Sequence, residues 1–322
     1  MTLAQTQAAL AAASGALASG GRVLGVALVI AAAALAATSA VPALRRHLPA
    51  ALAATVGALA IGELALAWFH WRLWQIAAVT NPVTGEVTGR IAVPLWVESE
   101  KLYVWALVLG VMTLLMRRHA RELRPALALG VAGLTVAALV WGRPFTEPLP
   151  DFLGQYQGYL AALGSGDANA AFGAFQSLDG ARQYFYNTWY MWVHPPLLFF
   201  SYGAFAVAFV ATLQMMRERR SSLETTVYRW TRLGYQPLTL GMLLGFPWAI
   251  LAWSGDAWWW SGKVNMSIMM WLLYTAYLHA RLYLRRRGMW KAVAALGVLS
   301  FAALVLTYVT TYLVPGAHSV AG

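Results

Sequence analysis

The chain of 322 residues contains no cysteine. Disulfides, thiolate metal centres and cysteine nucleophiles are thereby excluded, and any reacting sulfur must come from another molecule. Charge is scarce too. Asp, Glu, Lys and Arg make up 11% of the residues and apolar side chains 60%, whereas soluble domains carry about 25% charged and 45–50% apolar residues. This composition excludes a water-soluble fold. Acids are the scarcer sign, 12 against 23 basic residues, for a net charge of +11. The excess does not indicate nucleic acid, because the basic residues sit in short clusters between apolar runs, the orientation signal of membrane proteins. No internal repeat and no soluble domain is visible. The first twenty residues are rich in Ala and carry no charged side chain, without the basic-then-apolar order of a cleavable signal.

What the sequence does hold is a series of apolar runs. A hydrocarbon core of about 30 Å takes roughly 20 residues of helix. The runs predict an all-α integral membrane protein, a polytopic bundle of about eight transmembrane helices near 22–43, 50–70, 99–116, 125–142, 188–214, 234–253, 265–284 and 291–313. Basic clusters follow the odd-numbered runs: Arg45-Arg46-His47, then Arg117-Arg118-His119-Ala-Arg121, then Arg217 to Arg232, then Arg281 to Lys291. All fall on one side, which is then cytoplasmic, and both termini are extracytoplasmic. The expected regions are an outer N-terminal segment 1–21, a four-helix membrane region 22–142, an outer loop 143–187 and a C-terminal core 188–322. The placement expected is the cell (plasma or inner) membrane, with the lipid bilayer as partner. In the outer loops, Asn81-Pro82 and Thr84-Gly85 mark a hairpin turn. Gly164-Ser-Gly-Asp-Ala-Asn169 reads as a turn between short amphipathic helices at 152–163 and 170–178.

One outer loop stands apart. Residues 252–267 hold Trp253, Trp258, Trp259 and Trp260 among Gly and Ser. Each indole is large and carries an N–H that needs a partner, so the cluster covers something flat or anchors an interface. Of six histidines, His47 and His119 lie in Arg clusters at the cytoplasmic boundary. His194, in Tyr190-Met-Trp-Val-His194-Pro195-Pro196, and His318, in Pro315-Gly-Ala-His318-Ser319, lie on the outer side with the tryptophans. Imidazole is a common axial ligand of haem iron, and an aromatic wall suits a porphyrin. The alternative is an interfacial tryptophan belt with two incidental histidines. His279 and Glu63 are intramembrane ionisable groups, functional candidates by default; the plainer readings are a neutral histidine bonded to a neighbouring helix and a neutral or paired carboxyl facing the bundle.

These residues resemble a known family. Leu238-Thr-Leu-Gly241 with Gly245, then the tryptophans, then Asn265, Ser267, Met269 and Trp271-Leu272 to His279-Ala-Arg281, resemble the tryptophan-rich WWD domain of the haem-handling cytochrome c biogenesis proteins CcsA, CcmF and CcmC. His194-Pro-Pro-Leu-Leu-Phe-Phe resembles the HPP segment of CcmF, and Arg143-Pro144-Phe145 its NPF element. Leu95-Trp96 with Glu100 resembles the element opening an earlier helix, and Pro315 to Ser319 the C-terminal end of CcsA. The resemblance runs from about residue 95 onward. It implies haem b as cofactor, with His194 and His318 as iron ligands at the outer surface against Trp253, Trp258, Trp259 and Trp260. It implies a second, transmembrane haem at His279, whose partner ligand is either His119 or supplied by a CcsB-like subunit. The implied function is haem binding and presentation for covalent attachment to apocytochrome c, as a possible component of a holocytochrome-c synthase (haem lyase). A non-catalytic haem-binding integral subunit of a larger respiratory or transport complex is the alternative. A transporter with an aromatic belt is the plainest reading. The family's Trp-Asp-Pro is here Trp260-Ser261-Gly262, and Asp256 is the only acid left in the loop.

Overall fold

The structure, a computed structural model, describes residues 1–116, 122–219, 221–253, 258–283 and 289–313. In chain order its helices are α1 (Leu3–Ala40), α2 (Leu48–Ile76), α3 (Lys101–Leu115), α4 (Arg124–Ala137), α5 (Pro150–Gly164), α6 (Ala168–Ala181), α7 (Trp189–Glu218), α8 (Glu224–Ala252), α9 (Gly262–Ala280) and α10 (Met289–Leu313). The described strands form one antiparallel hairpin, β1 (Ala78–Thr80) with β2 (Val87–Arg90). Among the described residues, five stretches are long and apolar enough to cross a membrane: Leu3–Ala40, Pro42–Ile76, Arg124–Gly142, Trp189–Glu218 and Met289–Thr310. The chain is an all-α membrane protein. The other three expected spans are present as helices but are weaker candidates. α3 has 15 residues, and α8 and α9 are diluted by Gly, Pro, Tyr, Asn and Trp.

Two compact units divide the chain: 1–110 with 131–193, and 111–130 with 194–322. In the first unit, α1 begins at Leu3, so the helix extends ahead of the membrane span expected near 22–43. A capping box explains the early start: Thr2 Oγ1 accepts from Gln5 N–H, and the Gln5 side chain accepts from Thr2 N–H. At 1.5 Å per residue its 38 residues make about 57 Å of helix, far more than a hydrocarbon core of about 30 Å. One end therefore stands clear of the hydrocarbon. Gly62 of α2 lets Tyr103 come close; a Cβ there would lie 1.9 Å from the Tyr103 oxygen. The Tyr103 hydroxyl donates to Leu59 O at 2.8 Å, and its ring meets Phe145 edge to face.

The expected hairpin and the two short helices at 152–163 and 170–178 are present, the latter as α5 and α6. Their polar side chains tie the hairpin down. Tyr159 OH donates to Thr80 O at 2.8 Å and accepts from Thr80 N–H at 2.9 Å. Asp179 accepts from Thr88 Oγ1, Arg182 Nε and Gln183 Nε2. Burial pushes its carboxyl up, but these donors outweigh that and hold it below the usual range. At Pro195 the missing N–H leaves the carbonyl four residues earlier without its helix partner. That carbonyl, on Met191, accepts from Trp96 Nε1 at 2.6 Å.

In the second unit, α7 and α8 approach through glycines. A Cβ on Gly234 would meet Phe205 at 2.8 Å, and one on Gly241 would meet Leu198 at 2.9 Å. Small residues at such contacts let helix backbones pack closely in a membrane. α8 and α9 are joined by Trp271 Nε1 donating to Thr239 Oγ1 at 2.9 Å and by a Tyr235–Thr275 hydroxyl pair at 2.7 Å. Phe205 stacks on Tyr274 at 3.7 Å and Phe209 on Phe301 at 4.3 Å. Arg281 grips the Glu224 carboxylate through Nε and Nη2 and lies 3.6 Å over the Tyr228 ring.

Glu98 generates a test of this fold. It carries a left-handed backbone, φ 46°, and its carboxyl accepts from the N–H groups of Asp151 and Phe152 at the start of α5. Burial, then the neighbouring Asp151 charge, push its pKa up to about 7. The folded state therefore binds a proton that the unfolded chain has lost, and this contribution is full below pH 4.5 and gone above about 7. Stability in detergent should fall by up to about 3 kcal/mol between those limits. Glu98→Gln, whose carbonyl can still accept the cap bonds, should flatten that slope in thermal melts at a series of pH values.

Candidate functional site

His194 lies on the first turns of α7, one residue before Pro195-Pro196. Its Nδ1 is 2.6 Å from Gly241 O on α8. A carbonyl only accepts, so Nδ1 carries the proton and Nε2 of the neutral ring presents a lone pair. The ring fits because Gly245 has no side chain: a Cβ there would lie 2.7 Å from His194 Cε1. One turn on, Trp248 tilts beside the imidazole with centroids 5.9 Å apart. Gly241, Gly245 and Trp248 follow the i, i+4, i+7 spacing of one helix face. They supply in turn an acceptor, a space and an aromatic wall. Trp248 continues to Trp253, edge to face at 4.8 Å, and Lys263 at the start of α9 places a positive charge within electrostatic range of His194.

The tryptophan segment is shorter as a loop than its sequence suggested. α8 runs to Ala252, Trp258–Trp260 form a 3-10 turn, and α9 begins at Gly262 with Ser261 as its N-cap. Residues 262–267 are thus helical. Ser261 Oγ accepts from Val264 N–H, a cap that ends the loop. The tryptophans differ in exposure. Trp258 is buried, meeting Phe246 and Trp259 edge to face, whereas Trp259 and Trp260 are 50% and 74% exposed. Trp258 is a foundation and its two neighbours are the presented surface.

His279 is exposed near the end of α9, and its Nδ1–H donates to Thr275 O at 2.8 Å. Nε2 is again the available nitrogen. His119, His318 and Asp256 lie outside the described residues. His70 is of another kind. It is buried in the first unit, with Nδ1 donating to Val93 O and Nε2 bonded to Glu100 Oε1, both at 2.7 Å, so neither nitrogen is left for a ligand. Glu63 lies in the field of this pair. Its Oε2 and that of Glu100 are buried without a hydrogen-bond partner. Trp248, Lys263 and the His70–Glu100 pair were not singled out from the sequence as partners. Helix-face spacing from Gly241 would have found Trp248; the long-range pair left no local signal.

His194 has the chemistry of an iron ligand. A neutral imidazole whose proton is fixed by a carbonyl, seated over Gly245 and flanked by indole rings, is a donor set that suits a porphyrin iron. Among the described residues no cluster of three or more His, Asp or Glu is placed to hold a bare metal ion.

The family described as cytochrome C assembly protein matches residues 95–318, which include His194, His279 and all four loop tryptophans. The chain is 30% identical over 236 residues to the probable cytochrome c-type biogenesis protein NrfE of Escherichia coli K12, covering 68% of this chain and 38% of that one. It is 29% identical over 237 residues to the cytochrome c-type biogenesis protein CcmF of Haemophilus influenzae, 70% and 32% of the two chains. To the cytochrome c biogenesis protein CcsA of Gloeobacter violaceus it is 36% identical over 106 residues, 31% and 30%. The chain thus matches well under half the length of these relatives. No solved structure matches. With the family pattern extending over more than half of its residues, the chain belongs to the cytochrome C assembly protein family.

Proposed function

We propose that the protein binds haem b at the extracytoplasmic membrane face and presents it for covalent attachment to apocytochrome c. The observation that carries this reading is the His194 imidazole, held through Nδ1–H by Gly241 O with Nε2 directed away from that bond. His318 is the proposed second ligand of the outer site. Trp259 and Trp260, supported by Trp258, are its aromatic shelf. His279 is proposed for a second haem, with His119 or a CcsB-like partner subunit as the other ligand. Relatives named as biogenesis proteins favour this over a non-catalytic subunit of a respiratory or transport complex.

Haem supplies the vinyl groups and iron redox chemistry of thioether formation. The chain's own part is positional. Gly241 O fixes the His194 tautomer and ring plane. The Gly245 gap admits the ring without displacing it, Trp248 and Trp253 exclude water from one side, and Lys263 favours an anionic group nearby. With no cysteine in the chain, both sulfurs come from the apocytochrome. Orienting two reactants in this way is worth more than any single contact.

His194→Ala should lower haem content of the purified protein at least tenfold, and exogenous imidazole should partly restore the reduced visible spectrum. Gly245→Ala should shift or weaken that spectrum without unfolding, because its Cβ would press on His194 Cε1. Unchanged haem content in His194→Ala would remove this assignment. The expected topology, about eight spans with 254–264 outside, is tested by Ser261→Cys in this naturally cysteine-free chain. A membrane-impermeant maleimide should label it from the extracytoplasmic side, and labelling only from the cytoplasmic side would overturn the orientation.

A further inference from the structure

Arg22 is the only charged residue in the 38 residues of α1. It is exposed and, among the described residues, has no hydrogen-bond or ion-pair partner. Beyond it, residues 23–40 give about 27 Å of uncharged helix at 1.5 Å per residue, close to the thickness of a hydrocarbon core. Arg22 therefore falls at one boundary of the first span. Arg143 directly follows the span Arg124–Gly142 and so falls at a boundary too. Its backbone is left-handed, φ 51° and ψ 42°, a conformation that residues other than glycine adopt at a cost and that points to a local purpose. This bend packs Phe145 on α1, where a Cβ on Gly21 would lie 2.3 Å from Phe145 Cβ.

Beside that contact is a cavity of about 370 Å3 lined by Arg22 and Arg143 together with Val26, Val29, Ile30 and Leu139. Its chemistry is segregated. Two guanidinium groups lie at the boundary, and the apolar side chains follow over the next two turns of α1 into the span. Arg143 is partly engaged: Nη1 bonds Glu147 Oε1 at 2.8 Å and Nε bonds Val140 O at 3.2 Å. The Glu147 pair is 53% and 60% exposed, the weak kind of ion pair. The net charge of Arg22, Arg143 and Glu147 together is positive.

We propose that this groove binds one anionic phospholipid, its phosphate between Arg22 and Arg143 and an acyl chain along Val26, Val29 and Ile30. Both features are needed for the choice. A free phosphate would use the arginines and leave the apolar length unused, and a zwitterionic lipid would bring a second positive group toward two guanidiniums. A basic side chain near an anionic headgroup adds an attraction that a zwitterionic headgroup does not supply.

The test is competitive retention. Delipidated full-length protein in detergent is mixed with equimolar phosphatidylglycerol and phosphatidylcholine of identical acyl chains, captured and washed, and the bound lipid is quantified by mass spectrometry. Wild type should retain phosphatidylglycerol in clear excess. Arg22→Gln should lower that enrichment about fivefold, the effect of one basic residue near the headgroup, while Arg22→Lys keeps most of it. Val26→Trp, which fills the apolar end, should lower both lipids together. Equal retention of the two lipids by wild type, or undiminished enrichment in Arg22→Gln, would overturn the proposal. So would complete displacement of phosphatidylglycerol by 50 mM inorganic phosphate, which would make this a simple anion site, or enrichment confined to self-associated fractions, which would make the lipid a filling between copies.

Discussion

The hydrogen bond from His194 Nδ1 to Gly241 O, 2.6 Å long, is the constraint on which the second unit depends. It requires α8 to pass α7 closely enough for a backbone carbonyl to reach a ring, and that approach is possible only where α8 carries glycine. Gly234, Gly241 and Gly245 each have α7 atoms within 3 Å of where a Cβ would sit. Glycines in a helix weaken it in water, but in a bilayer a closely packed neighbour compensates. The same face that is thinned for packing thereby becomes the face that selects a tautomer. A ring bonded only to water would populate both tautomers and many orientations; this one has one of each.

Proline works with that constraint from the other helix. Pro195 and Pro196 follow His194 and fix φ just beyond it. The freed Met191 carbonyl is not left orphaned, since Trp96 Nε1 donates to it. The start of α7 is thus held by an indole bond. In the first unit the hairpin is held in a comparable way, by Tyr159 and Asp179 side chains reaching backbone and hydroxyl groups. A segment between apolar helices that would otherwise be a mobile loop is thereby given hydrogen-bonded partners at Thr80 and Thr88.

His194 was legible in the sequence because it sits beside Pro-Pro at the edge of an apolar run, and depth in the membrane could be counted from there. Trp259 and Trp260 were legible as a cluster. That Trp258 is buried was not, because neighbouring residues in a tight turn point in different directions and sequence spacing does not say which one packs on Phe246. The start of α1 was not legible for a different reason. An Ala-rich, uncharged stretch continues into the first span without punctuation, so hydropathy marks where the membrane begins but not where the helix does; the capping box at Thr2 and Gln5 marks that. The His70–Glu100 bond joins residues 30 apart in sequence, a separation that no local pattern records. The hairpin and the two short helices α5 and α6 were readable because Asn, Gly, Pro and Asp announce turns by their own backbone preferences.

The departure from the family's Trp-Asp-Pro becomes intelligible at the start of α9. Asp followed by Pro is an N-cap with the residue favoured at the first helical position. Here Ser261 caps, accepting from Val264 N–H, and Gly262 takes the first position. Ser and Asp are near equals as caps, so the helix can start at this position without the acid. What changes is charge. An Asp at this position would offset the positive helix end and the nearby Lys263, and Ser261 does not. The start of α9 therefore keeps more of its positive field, which extends to His194. Ser261 thus replaces the acid as a cap but not as a charge, so the difference from Trp-Asp-Pro falls on the electrostatics around the start of α9 and not on the start of the helix.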